Sequence, residues 1–198
     1  MRFEAFPGLS LAAPVAIAWA AWIACGVYFL ATALFTNRIR VREKAPHRLL
    51  DALLLWSGYA FLFIGVSRAG ALQATLAHHP WWQYAGAAAA AAGLAFTVWS
   101  RFVLGRYWSG VVALKQDHRL VQNGPYRRIR HPLYTGLILA ATGTAVAAAQ
   151  PWTLPGVVLL TLCFLRRARR EDALLSQHFG AEFDAYRRQT GQLLPRLG

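Results

Sequence analysis

Residues 11–35, LAAPVAIAWAAWIACGVYFLATALF, run for 25 positions without a charged side chain. A helix needs about 20 apolar residues to cross a bilayer. A secretory signal has a basic stretch ahead of an apolar core of roughly 7–15 residues. Here only Arg2 precedes the run, with Glu4 beside it, and no small-x-small cleavage site follows cleanly. The run reads as a first membrane span.

Working outward from it, four more apolar stretches appear. Residues 49–66 are interrupted only by Asp51, and residues 82–103 follow a tryptophan pair suited to a membrane interface. Residues 132–149 and 152–166 are shorter and separated by a tight turn, which predicts a helical hairpin that tilts or locally thins the bilayer. The expected fold is therefore all-α and integral to a membrane: one domain over residues 1–198, five transmembrane helices and a cytoplasmic C-terminal helical cap.

Charge supplies the topology. The chain is 57% hydrophobic yet carries a net charge of +13. Basic residues crowd the loop after span one (Arg38, Arg40, Arg42, Lys44, Arg48) and the segment after span three (Arg101, Arg106, Lys115, Arg119, Arg127, Arg128, Arg130). They also crowd the tail from Arg166 onward, whereas the span two–three loop has Arg68 alone and the span four–five turn has none. The positive-inside rule puts the N-terminus outside and the C-terminus in the cytoplasm. The Ala- and Arg-rich composition points to a bacterial inner membrane. Arginines distributed by topology, without a recognised binding motif, argue against nucleic acid.

Other chemistries find little support. Cys25 and Cys163 lie inside apolar spans, too few for a disulfide framework and without the partners of a catalytic thiol. His78 and His79 adjoin each other with no Cys, Asp or Glu nearby, so no metal site is expected. Neither a G-x-G-x-x-G nor a phosphate-loop motif is present.

One cytoplasmic stretch stands out: residues 124–136, GPYRRIRHPLYTG. Pro132 suits the first turn of span four, with His131 just ahead and Tyr134 three residues on, within reach of one pocket. A helix N-terminus there offers free N–H groups to a carboxylate or phosphate. The plain alternative is a helix start with interfacial tyrosines and topology arginines. The tail RRARREDALLSQHFGAEFDAYRR predicts a helix from Arg166 to about Phe179, a stop at Gly180 and a short helix from about Glu182 to Arg188. Glu171 and Asp172 then return to the face that holds His131.

HRLVQNGPYRRIRHPLYTG, followed by RREDALLSQHFGAEFDAYRRQTGQLLP, resembles the isoprenylcysteine carboxyl methyltransferase family, a broad group of integral membrane methyltransferases that includes phospholipid N-methyltransferases. The resemblance covers residues 108–195 and implies a cofactor, S-adenosylmethionine, held in a region formed by residues 108–136 and 166–195. It assigns cofactor binding to His118, Leu120, Val121, Gly124, Tyr126, Arg130, His131, Tyr134, Arg170 and Glu171. Arg130 and Tyr134 are also positioning candidates for catalysis. The family's Glu-Glu pair is Glu171-Asp172 here, which leaves the role of Asp172 open.

The implied reaction is methyl transfer to a lipophilic small molecule or lipid bearing a carboxylate, amine or thiol. Three alternatives accompany it: a phospholipid N-methyltransferase, an NADPH-dependent enzyme of the sterol-reductase type, and a non-catalytic membrane scaffold. The reductases typically carry Asn and an acidic residue where this chain has Leu133 and Leu137.

Overall fold

The structure is a computed structural model that describes residues 2–6, 9–42, 45–67 and 80–196. Lys44, Arg68, His78 and His79 lie outside the described residues. Five long helices stand where the apolar stretches predict them: α1 (Ala13–Ala33), α2 (Ala45–Ser67), α3 (Pro80–Leu104), α4 (Pro132–Ala148) and α5 (Thr153–Phe179). A short α6 (Ala181–Gln189) follows. Ala13–Ala33 and Trp81–Tyr107 are each long and apolar enough to cross a membrane, and Pro132–Ala148 is shorter. At 1.5 Å per residue, the 17-residue α4 reaches about 25 Å.

The all-α expectation needs one correction, because four short strands are present among the described residues. Strand β1 (Arg2–Phe6) pairs antiparallel with β2 (Leu9–Ala12), so α1 starts two residues inside the expected span. Strand β3 (Ile39–Arg42) pairs antiparallel with β4 (Ala113–Lys115). Strands this short carry almost no periodic signal, and their pairing is set by what lies between them. The Lys115 ammonium donates to the Asn37 carbonyl at 2.8 Å beside the β3–β4 ladder.

Packing between α3 and α4 is governed by glycine. A Cβ on Gly93 would lie 2.6 Å from the Gly136 carbonyl oxygen, and one on Gly86 would lie 2.7 Å from that of Gly143. These four glycines, with buried Ala90, Ala140 and Ala147 between them, bring the two backbones into direct contact. Small-residue faces of this kind let helices associate where water supplies no driving force. Helices α2 and α5 do the same at Gly58 and Gly156. Helix α1 adds Trp22, whose indole N–H donates to the Thr144 hydroxyl at 2.9 Å.

The outward faces are apolar. Ile23, Val27 and Leu30 on α1, Leu53 and Trp56 on α2, and Phe102 on α3 are all exposed. Contiguous apolar surface of this extent is rare on water-soluble monomers and suits a hydrocarbon surround.

Helix α5 changes character along its length. Its first half is apolar, its second carries Arg166 to Asp172, and it continues unbroken to Gly180, which closes it with φ +53°. Because α5 antiparallels α4 and outruns it, the charged half stands over the N-terminus of α4.

Candidate functional site

The segment entering α4 is built as a rigid step. Gly124 has φ +55°, a conformation L side chains rarely adopt, and it opens a 3-10 turn, Gly124–Arg127, with Pro125 at its start. The turn buries Tyr126, whose carbonyl accepts the Tyr186 hydroxyl of α6 at 2.7 Å. Beyond it the backbone is laced to the chain after α6. The N–H groups of Arg130 and His131 donate to the carbonyls of Gly191 and Gln192 at 2.9 and 3.0 Å, and Gly191 donates to Arg128 at 3.1 Å. The C-terminal segment is thus fixed over the entrance to α4, with Pro132 at its first turn.

His131 occupies the junction. Its ring lies between two carboxylates, with Nδ1 3.1 Å from Glu171 Oε2 and Nε2 2.8 Å from Asp172 Oδ1. Burial lowers the His131 pKa, but the two hydrogen bonds and the two negative charges outweigh it and raise it to about 9. At neutral pH the ring is therefore an imidazolium donating from both nitrogens. Burial pushes the Asp172 carboxyl up, yet the hydrogen bonds and charges of His131 and Arg130 hold it down at about 2. Arg130 reaches Asp172 with Nε at 3.3 Å and Nη2 at 3.2 Å, and donates from Nη1 to the Thr190 carbonyl at 2.6 Å. Gln192 Nε2 adds a further donor to Asp172 at 2.9 Å.

This geometry settles where Asp172 stands. It is the partly buried anion that orients Arg130 and His131, whereas Glu171 faces the cavity. Tyr134, one turn into α4, donates its hydroxyl to Glu171 Oε1 at 2.6 Å. Its ring stacks between those of His131 and Phe164, with centroids 5.7 and 5.2 Å away.

A cavity of about 390 Å³ opens from this cluster. One end is charged, lined by His118, Arg119, Arg130, His131 and Glu171. The other runs between the helices as an aromatic and aliphatic arm lined by Trp22, Phe29, Tyr59, Leu137 and Phe164. Burial, and next the neighbouring His178, lower the His118 pKa, so this imidazole is neutral. Its ring lies 5.3 Å from that of Tyr107 and 6.0 Å from that of Phe179.

Of the residues singled out from sequence, His118, Leu120, Val121, Tyr126, Arg130, His131, Tyr134 and Glu171 line this one cavity. Gly124 and Arg170 do not. A Cβ on Gly124 would meet Val103 at 3.1 Å, so its role is the turn. Arg170 is one residue from Glu171, about 100° around the helix, and it pairs with Asp51 of α2. Sequence reasoning passed over Arg167, which does line the cavity. Arg167 is four residues before Glu171 and therefore on its face of α5, a spacing that could have revealed it. Trp22 and Tyr59 lie within apolar runs, where hydropathy does not distinguish an aromatic ring facing lipid from one facing a cavity.

Part of the chain is similar to known proteins. Residues 87–177 match the isoprenylcysteine carboxyl methyltransferase family. A probable protein-S-isoprenylcysteine O-methyltransferase of Oryza sativa subsp. indica is 33% identical over 94 residues, 46% of this chain and 49% of that one. The protein-S-isoprenylcysteine O-methyltransferase of Schizosaccharomyces pombe is 34% identical over 96 residues, 47% of this chain and 41% of that one. The chain thus spans about half the length of these curated relatives. A solved structure of the eukaryotic intramembrane Ras methyltransferase shares the fold at a TM-score of 0.55 and 22% identity, over 77% of this chain and 53% of that one.

Proposed function

Since residues 87–177 match the isoprenylcysteine carboxyl methyltransferase family, we propose that the chain is an integral membrane methyltransferase. It transfers a methyl group from S-adenosylmethionine to a lipophilic acceptor at the cytoplasmic face. The five long helices cross the membrane with the N-terminus outside, in a bacterial inner membrane. The observation that carries this reading is the two-ended cavity: charged groups at one end and an aromatic arm reaching between the helices.

The residues present fit the cofactor. A volume of about 390 Å³ falls in the range of small-molecule sites. Glu171 offers carboxylate oxygens to hydroxyl or amino groups. Arg119 supplies a guanidinium suited to a carboxylate, and the ring of Tyr126 suits a nearby cation. When bound, S-adenosylmethionine supplies a methyl group already activated on a sulfonium.

The protein's own work is positioning and exclusion of water. His131 and Arg130, locked on Asp172, hold the entrance to α4 in one geometry. Tyr134 orients Glu171. The apolar arm receives the acceptor's hydrocarbon and leaves its polar head beside Arg167. A guanidinium there favours an anionic nucleophile, a carboxylate or thiolate, which needs no base. An ammonium would first have to lose a proton, and Glu171 is already engaged by Tyr134 and His131.

Calorimetry on the detergent-purified chain, with S-adenosylmethionine and NADPH titrated in parallel, tests the reading. S-adenosylmethionine should bind, and Glu171→Ala and His131→Ala should each weaken it while the protein still inserts. NADPH binding alone would establish the reductase alternative, and binding of neither would favour the scaffold. Product analysis with a prenylated thiol-acid and a phospholipid amine separates carboxyl from amine methylation.

A further inference from the structure

Asp51 is the only charged residue in the apolar run 49–66, and its side chain is fully buried. An ionisable group inside a membrane helix is expensive and marks a functional position. Asp51, Leu55 and Tyr59 recur every four residues and so share one side of α2. Leu55 and Tyr59 line the cavity, and Asp51 stands one turn beyond them against Arg167, which lines it too.

Arg167 is held at two points. Its Nε donates to Asp51 Oδ2 at 3.2 Å, and its Nη1 donates to the Gly110 carbonyl at 3.2 Å. The anchor is itself fixed. The Cys163 thiol reaches the Asp51 backbone carbonyl at 3.5 Å, Arg170 pairs with Oδ2, and Arg166 Nε stands 3.9 Å from Oδ1. With Nε and Nη1 committed to protein acceptors, Nη2 carries the donors left for the cavity.

The anchor decides where those donors point. Glu171 lies four residues after Arg167, the spacing at which helix side chains pair. A guanidinium drawn onto Glu171 would lose its donors to that carboxylate. A loose one would give up rotamer freedom each time a ligand fixed it. Asp51 holds Arg167 toward α2, and Glu171 stays with Tyr134 and His131.

We propose that Asp51 is a positioning residue: it holds Arg167 so that Nη2 meets the anionic head of an amphiphile whose hydrocarbon fills the apolar arm. This rests on the reading of the cavity as the acceptor's site, and it names the residue that makes the site selective for a negative head. Electrostatics alone predicts the reverse, since deleting a negative charge beside the site strengthens an anion's binding.

The test compares dodecanoate with its neutral methyl ester on the full detergent-purified chain, at mildly alkaline pH and fixed detergent concentration. Binding is read by tryptophan fluorescence, because Trp22 and Trp108 line the cavity. The unsubstituted chain should bind the acid about tenfold more tightly than the ester, the size of one charge-assisted hydrogen bond. Asp51→Asn should reduce that preference to about twofold or less while the ester binds as before. Asp51→Glu, which keeps the charge and moves the oxygens by one methylene, should do the same. So should Arg167→Lys, which keeps the charge and loses the fork. Either of these decides the matter where Asp51→Asn fails to fold. Asp51→Asn combined with Arg167→Gln should bind the acid no more weakly than Arg167→Gln alone. Tighter acid binding in Asp51→Asn, additive loss in the double variant, or acid and ester falling together would overturn the positioning role. Equal affinity for acid and ester in the unsubstituted chain would overturn Arg167 as the anion's contact. S-adenosylmethionine is titrated separately, and its failure to bind removes the methyl-transfer reading without touching the comparison of acid with ester.

Discussion

His131→Gln should change how the protein's stability depends on pH, and the size of the change follows from the site. The histidine pKa is raised from 6.5 to about 9 when the chain folds. A group whose folded pKa is raised stabilises fully below its unfolded pKa, and that stabilisation is lost as pH rises through the folded one. The relevant window is therefore pH 6.5 to 9. A shift of about 2.5 units at about 1.4 kcal/mol per unit gives about 3 kcal/mol. The depression of Asp172 reports the same contact and is not added to it. Glutamine keeps a neutral donor near the carboxylates but cannot titrate. The stability difference between the parent chain and the variant should then be largest below pH 6.5 and shrink by about 3 kcal/mol by pH 10. For a chain of this size that is roughly 6–12 °C in melting temperature. Thermal unfolding of both proteins in detergent, scanned from pH 6 to 10 by tryptophan fluorescence, measures it, since other titrating groups cancel in the difference. A constant difference across the window, or a His131 resonance titrating near 6.5 by NMR, would refute the reasoning.

Two glycines on the same footing by sequence should respond oppositely. Gly93→Leu places a Cβ 2.6 Å from the Gly136 carbonyl oxygen and should destabilise by about 3 kcal/mol or more in thermal unfolding. Gly26→Leu meets nothing within 4 Å and projects into the apolar arm. It should leave stability and S-adenosylmethionine affinity in place while raising the acceptor KM about tenfold, as expected for loss of an apolar subsite. Arg38→Ala, whose residue contributes a backbone carbonyl to Gln116, should change calorimetric cofactor affinity by less than twofold, in line with exposed substitutions.

The long helices were legible because each apolar run is longer than any competing structure could hide. Gly180 was legible as the stop of α5 because a left-handed residue ends a helix most cheaply as glycine. The strands were not, since β3 and β4 owe their existence to each other across seventy intervening residues. At the site, His131, Tyr134 and Glu171 could be placed together because Pro132 fixes where α4 begins and the hairpin returns the tail to that face. What eluded the sequence is direction around a helix. Arg170 and Glu171 are neighbours in the chain, yet one faces Asp51 and the other the cavity, and nothing local to the pair says which. The phase is set by Gly156 and Leu160, which seat α5 against Gly58 and Leu62 of α2.

That seating has a consequence for how the chain can change over time. Helix α5 runs without a break from its contacts with α2 to Glu171, so the two are linked like teeth on one shaft. One residue inserted or deleted between Leu160 and Glu171 would turn the carboxylate by about 100° and shift it by about 1.5 Å. It would leave the cavity although nothing in the cavity had been altered. The eleven steps from Leu160 to Glu171 are therefore a fixed distance, and gains or losses of length must be absorbed in the connections between helices.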